Sequence, residues 1–208
     1  MPSGVTAGGS GGGGLGHDRR VASRVENYLA HLDRLSGGIE PRFLPVASTK
    51  EGLKGVTLIA YQQLPDDLAT ALTYGVSLAE HSDWKLGSPE LCISVRSEDD
   101  RWAWAVGHLG ESLRGSCPFS YGNIIDFGER ISTESDMTVF VVGPPSVIEA
   151  ADCRIDVGGP GHEGHDIVHL VGMYPIHEAE GQYIRDHGLQ SFWNLDRDLY
   201  DVTRHPAV

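Results

Sequence analysis

Apolar residues recur at helical spacing at Val21, Val25, Leu29 and Leu32, behind Asp18 as an N-cap and ahead of Gly37-Gly38. This predicts an amphipathic helix over 18–36 with Arg19, Arg20, Arg24 and Arg34 on its other face. The run from Val56 to Tyr61 is β-branched and aromatic, and predicts a strand. A turn at Leu64 to Asp67 separates it from a second strand, Leu68 to Tyr74, punctuated by Gly75. Glu90 to Val95 alternates apolar and polar residues, the pattern of a half-buried strand. After a polar turn at Ser97 to Asp100, the positions Trp102, Val106, Leu109 and Leu113 predict a second helix, ending near Gly115. Strands follow at Asn123 to Phe127, at Met137 to Val142 before Pro144-Pro145, and at Ile167 to Tyr174, bounded by Pro175. Two short helices, Ile176 to His187 and Gln190 to Leu199, close the series.

Strands and helices mix without regular alternation. This points to an α+β domain around a central mixed, largely antiparallel sheet flanked by helices, and away from a doubly wound fold. Eight of the first 16 residues are glycine, a composition that predicts a flexible tail over 1–16 ahead of a domain spanning 17–208, with its core over about 41–204.

Charge sharpens the picture. The chain of 208 residues carries a net charge of −13. From Met1 to Gly55 it holds seven basic and five acidic residues; the remainder holds nine and 24. Such an acidic body repels nucleic acid and anionic lipid and attracts a basic protein. Three cysteines, Cys92, Cys117 and Cys153, form no CxxC pair and suit reduced thiols in the cytoplasm. No apolar run is long enough to span a membrane.

Few residues invite chemistry. His162, His165 and His169 crowd one segment, and neutral imidazoles bind zinc when three or four ligands meet at a point. On a strand rising about 3.3 Å per residue, His165 and His169 stand roughly 13 Å apart, which leaves a metal-dependent hydrolase as the weaker alternative. Tyr74-Gly75-Val76-Ser77 is not a nucleophile elbow, because position 79 is alanine. Cys117 has no local partner to lower its pKa. Gly158-Gly159-Pro160-Gly161 has neither the phosphate-loop ending nor the dinucleotide spacing, so no cofactor is expected. The acidic pairs Asp66/Asp67, Asp99/Asp100 and Glu178/Glu180 fall at turns and helix starts, where they cap and solvate. Trp104 lies on a different helical face from Trp102, and an exposed tryptophan is a common interface anchor.

Six segments in order resemble the suppressor-of-fused (Sufu) domain family. They are Ala71 to Ser77, Pro89 to Val95, the tryptophan-containing helix, Gly122 to Gly128, the Met137 to Val142 strand, and Leu170 to Glu180. The resemblance implies a mixed α+β domain that binds proteins and is not an enzyme. Animal members sequester Gli-type transcription factors between this domain and a C-terminal lobe, for which 208 residues leave no room. Bacterial members look like immunity proteins that neutralise toxins. The acidic peptide-binding residue of the animal proteins falls at Asn123 and the nearby binding tyrosine near Ser112, so Gli-like recognition is not implied. Ser112, Tyr121, Asn123 and Trp104 form the candidate binding set. The expected partner is a protein, such as a basic toxin, met by a monomer or weak homo-oligomer; a partner strand added to an unpaired sheet edge is one physical route.

Overall fold

A computed structural model describes residues 22–158 and 166–208. In it α1 (Arg24–Ser36) precedes β1 (Arg42–Pro45), β2 (Thr57–Tyr61), β3 (Ala69–Tyr74) and β4 (Ser88–Val95). Next come α2 (Arg101–Leu113), β5 (Ile124–Asp126), β6 (Val139–Gly143), β7 (Arg154–Asp156), β8 (Ile167–Ile176), α3 (Glu178–His187) and α4 (Leu189–Trp193). The strands form one sheet in the order β1-β2-β3-β4-β8-β6-β5, with β7 also on β8. Every pairing is antiparallel except β4 with β8. The α+β class with a largely antiparallel mixed sheet is therefore observed.

Side-chain alternation along β8 sorts the core. Val171 and Met173 enter the cluster beneath α2, which contains Trp102, Val106, Leu58, Ile93 and Phe140. Val168 and Leu170 face the opposite way, onto Tyr28 and Leu32 of α1. Tyr174 and Ile176 share that second face but lie under α3 and α4, against Ile184 and Phe192. One sheet face thus carries α2, and the other carries α1 at one end and α3–α4 at the other. Gly107 and Gly110 bring α2 close to the sheet: a Cβ there would stand 2.8 Å from Leu58 Cδ1 and 2.9 Å from Val76 Cγ2.

Some expectations need correction. The first helix begins at Arg24, capped by Ser23, whose hydroxyl accepts from the Glu26 N–H while Glu26 reaches back to the Ser23 N–H. Asp18 therefore does not cap it; residues 18–21, like the glycine-rich tail, lie outside the described residues. Pro175 does not end its strand, which runs to Ile176. Tyr174 and Ile176 pair with Val141 and Val139 of β6, which leaves the Pro175 nitrogen facing the β4 side. Pairing with β4 has already ended at Gly172, so the missing N–H costs no ladder bond. The last helix stops at Trp193, and 194–199 is irregular. The β6 strand starts at Val139, not Met137.

A buried polar hub fixes the turn after β3. Glu90 is fully buried, and its Oε1 accepts from the N–H groups of Gly75 (2.8 Å) and Ser77 (3.1 Å) and from the Ser77 hydroxyl (2.5 Å). Its Oε2 accepts from the Thr73 hydroxyl (2.6 Å) and the Val76 N–H (3.3 Å). On the other side of the turn, buried Arg114 donates to the Gly75 carbonyl (2.9 Å) and pairs with Glu111 at 2.8 Å. Gly75 has φ +127°, and a Cβ there would stand 3.0 Å from the Gly55 carbonyl oxygen. Ser77 is spent in this hub and is no nucleophile.

Candidate binding surfaces

The candidate residues do not converge: Tyr121 and Asn123 share one loop, Trp104 lies in a separate cleft, and Ser112 lines neither. Tyr121 lies in the loop before β5, and its hydroxyl is hydrogen-bonded to His169 Nε2 of β8 at 3.0 Å. Together they line a groove of about 210 Å³ with Trp84, Leu86, Pro89 and Phe119. Leu86 is 61% exposed and Tyr121 44% exposed, a concentration of apolar surface that polar surroundings do not explain. The Trp84 indole N–H is buried in this wall without an acceptor. Burial, with Arg154 nearby, holds the His169 pKa below the ordinary imidazole value, so the ring is neutral at pH 7.

Asn123 shapes the same loop. Its side-chain oxygen accepts from the Ser120 N–H at 2.8 Å, and its carbonyl accepts from the Val142 N–H at 2.9 Å. It organises the entry to β5. Trp104 is elsewhere, on α2 beside His108 (ring centroids 6.1 Å apart), in a cleft of about 320 Å³ shared with Phe127 and Arg130. Ser112 lines neither site; its hydroxyl donates back to the His108 carbonyl at 2.8 Å.

The sheet edges differ in hydrogen-bonding capacity. The Val46 N–H donates to the Val56 carbonyl, so by alternation Arg42 and Leu44 face β2 while Pro41, Phe43 and Pro45 face outward. Two of those three outward positions are prolines without an N–H, so this edge is blunted. At β5 the Phe127 N–H donates to the Thr138 carbonyl and the Val142 N–H to the Asn123 carbonyl. Ile124 and Asp126 therefore turn both N–H and C=O outward, open to a partner strand.

Groups that sequence suggested for chemistry are otherwise engaged. Burial raises the Cys117 and Cys153 thiol pKa values and pushes Cys92 up to about 12. Asp67 and Asp100 pair with Arg96 and Arg42. Glu180 caps α3 at the His177 N–H and pairs with Arg204 at 2.6 Å, which holds its pKa low against the opposing effect of burial. Among the described residues no three His, Cys, Asp or Glu side chains are grouped to hold a metal. His162 and His165 lie outside the described residues. No helix among the described residues is long and apolar enough to cross a membrane.

The fold and its two concave surfaces define a helix-flanked mixed sheet with an open edge. Residues 52–205 match the model of the family described as Suppressor of fused protein. The chain belongs to the suppressor of fused family. No curated protein sequence matches it. Among solved structures it is similar to a Sufu homologue from Neisseria gonorrhoeae, with 17% identity and TM-score 0.65, covering 88% of this chain and 95% of that one. It is also similar to a chain of the Sufu–Fu complex, with 12% identity and TM-score 0.64, covering 90% and 93%. Drosophila Suppressor of Fused follows, with 13% identity and TM-score 0.62; 90% of this chain is covered but only 52% of that one. At these identities the likeness describes the fold.

Proposed function

We propose that the protein is a non-enzymatic, cytoplasmic binding domain that sequesters a basic protein partner, in the manner of an immunity protein masking a toxin. Residues 17–208 act as one Sufu-like domain. A segment of the partner pairs with the β5 edge, and the Tyr121–His169 groove takes an apolar side chain from the same partner. The observation that carries this reading is the contrast between edges: β5 offers the outward donors and acceptors of Ile124 and Asp126, whereas Pro41 and Pro45 interrupt the donors of β1. Family membership supports a binding role, since a member has been solved as the Sufu–Fu complex. The 24 acidic against nine basic residues beyond Gly55 favour fast capture of a basic partner, weakened by salt.

The test is co-expression with the products of adjacent genes, followed by affinity capture at low and high salt. The expected result is a basic protein recovered at low salt and lost at high salt, with Asp126→Pro weakening capture at least about tenfold. That variant deletes an outward donor and leaves the bonds to β6 intact. Recovery of nothing, or equal capture by the variant, contradicts the reading.

A further inference from the structure

The Trp104 cleft has a charge opposite to that of the molecule around it. Of the nine basic residues beyond Gly55, Arg101 and Arg130 both open onto it. Both touch Thr133: Arg101 Nη1 donates to its hydroxyl at 3.1 Å and Arg130 Nη2 to its carbonyl at 3.4 Å. Arg130 Nε donates to the Ser135 carbonyl at 2.9 Å, which, among the described residues, leaves Nη1 free of backbone bonds. Their ion pairs with carboxylates are long or exposed. Asp99 stands 3.8 Å from Arg101, and Asp136, 3.0 Å from Arg130, is 82% exposed. Exposed pairs of this kind contribute little, so exchange for another carboxylate is cheap. Glu129 is the one acidic residue lining the cleft, and His108 adds a titratable donor. At about 320 Å³ the cleft lies near the lower end of volumes that take ligands, roughly 300–1,000 Å³.

We infer that this cleft is a second docking site, for a partner-protein segment in which a large apolar side chain is flanked by carboxylates. The apolar side chain stacks on Trp104 and Phe127, and the carboxylates take Arg101 and Arg130, whose planar forks suit them. The preference is the reverse of that of the acidic body, so this surface reads a different segment or a different partner from the β5 edge.

Fluorescence anisotropy of labelled peptides on the full chain tests it. The probes are a hexapeptide with phenylalanine between glutamates, its lysine counterpart, and the glutamate peptide with alanine for phenylalanine. The first binds at least about tenfold more tightly than either other, and salt weakens it. Arg101→Glu with Arg130→Glu removes that binding at unchanged melting temperature, because both side chains are exposed. Trp104→Ala also removes it, and Trp104→Phe restores part. If Trp104→Ala does not fold, the arginine pair decides alone. No binding by the first peptide, equal binding of the lysine peptide, or undiminished binding by the arginine variant overturns the inference.

Discussion

Glu90 and Arg130 show two uses of charge in one chain. Around Glu90 five donors converge on a carboxylate with no exposure, and Gly75 is gripped from its other side by Arg114. Around Arg130 the partners are two backbone carbonyls, of Ser135 and Thr133, and a carboxylate in water. The interior hub is closed around Glu90: both of its oxygens are used, and the side chain has no exposure. The two clefts are open: the Tyr121 groove presents exposed aromatic surface, and the Trp104 cleft sets a half-buried tryptophan beside replaceable ion pairs. The Thr73 to Ser77 run, one of the segments that resemble the family, belongs to the closed region and builds the scaffold.

This contrast breaks most easily at Glu90. Glu90→Ala leaves five buried donors unpaired and is expected to destabilise the fold by about 3–5 kcal/mol in urea denaturation. A loss under about 1 kcal/mol would place Glu90 outside the scaffold. Gly75→Ala is expected to cost about 1–3 kcal/mol, because its φ of +127° excludes an L side chain and the Gly55 carbonyl crowds the Cβ.

A third probe uses pH. His31 Nδ1 lies 2.8 Å from Arg34 Nη2, which can only donate, so the Nε2–H donates to the Asp152 carbonyl at 2.9 Å. Burial first, then the charge of Arg34, lowers its pKa in the fold. The unfolded chain therefore binds the proton first, and stability falls as pH drops below about 6.5 toward the lower folded value. Melts from pH 8 to 5 should show that fall, and His31→Gln should reduce it, leaving the part that His169 contributes through its own lowered pKa. The smallest expected effect is at the surface: Arg130→Glu should change stability by less than about 0.5 kcal/mol. A larger loss would make the cleft part of the scaffold.

Much of the scaffold was legible because burial imprints period on sequence. The strands β2, β3, β4 and β8 and helix α2 bury one face or both, and their apolar spacing follows. β1 was not legible: Arg42 to Pro45 is largely exposed and bounded by prolines, so it carries no alternation. β7 is three residues long, too short for a period. Pro175 misled because proline tolerance depends on where the neighbouring strand ends, a long-range fact. Of the sites, Tyr121 and Trp104 were named from sequence, but the pairing of Tyr121 with His169 spans 48 residues and is set by the sheet. Trp84 and Leu86 were missed as site residues; the signal available was large apolar residues in the otherwise polar stretch from Glu80 to Ser88.

Amide hydrogen exchange of the free chain and of its complex with the captured partner tests the central claim most directly. The account predicts that the Ile124 and Asp126 amides gain protection on binding while the Phe43 amide does not. Protection at Phe43, with β5 exchanging as fast as in the free chain, would contradict it.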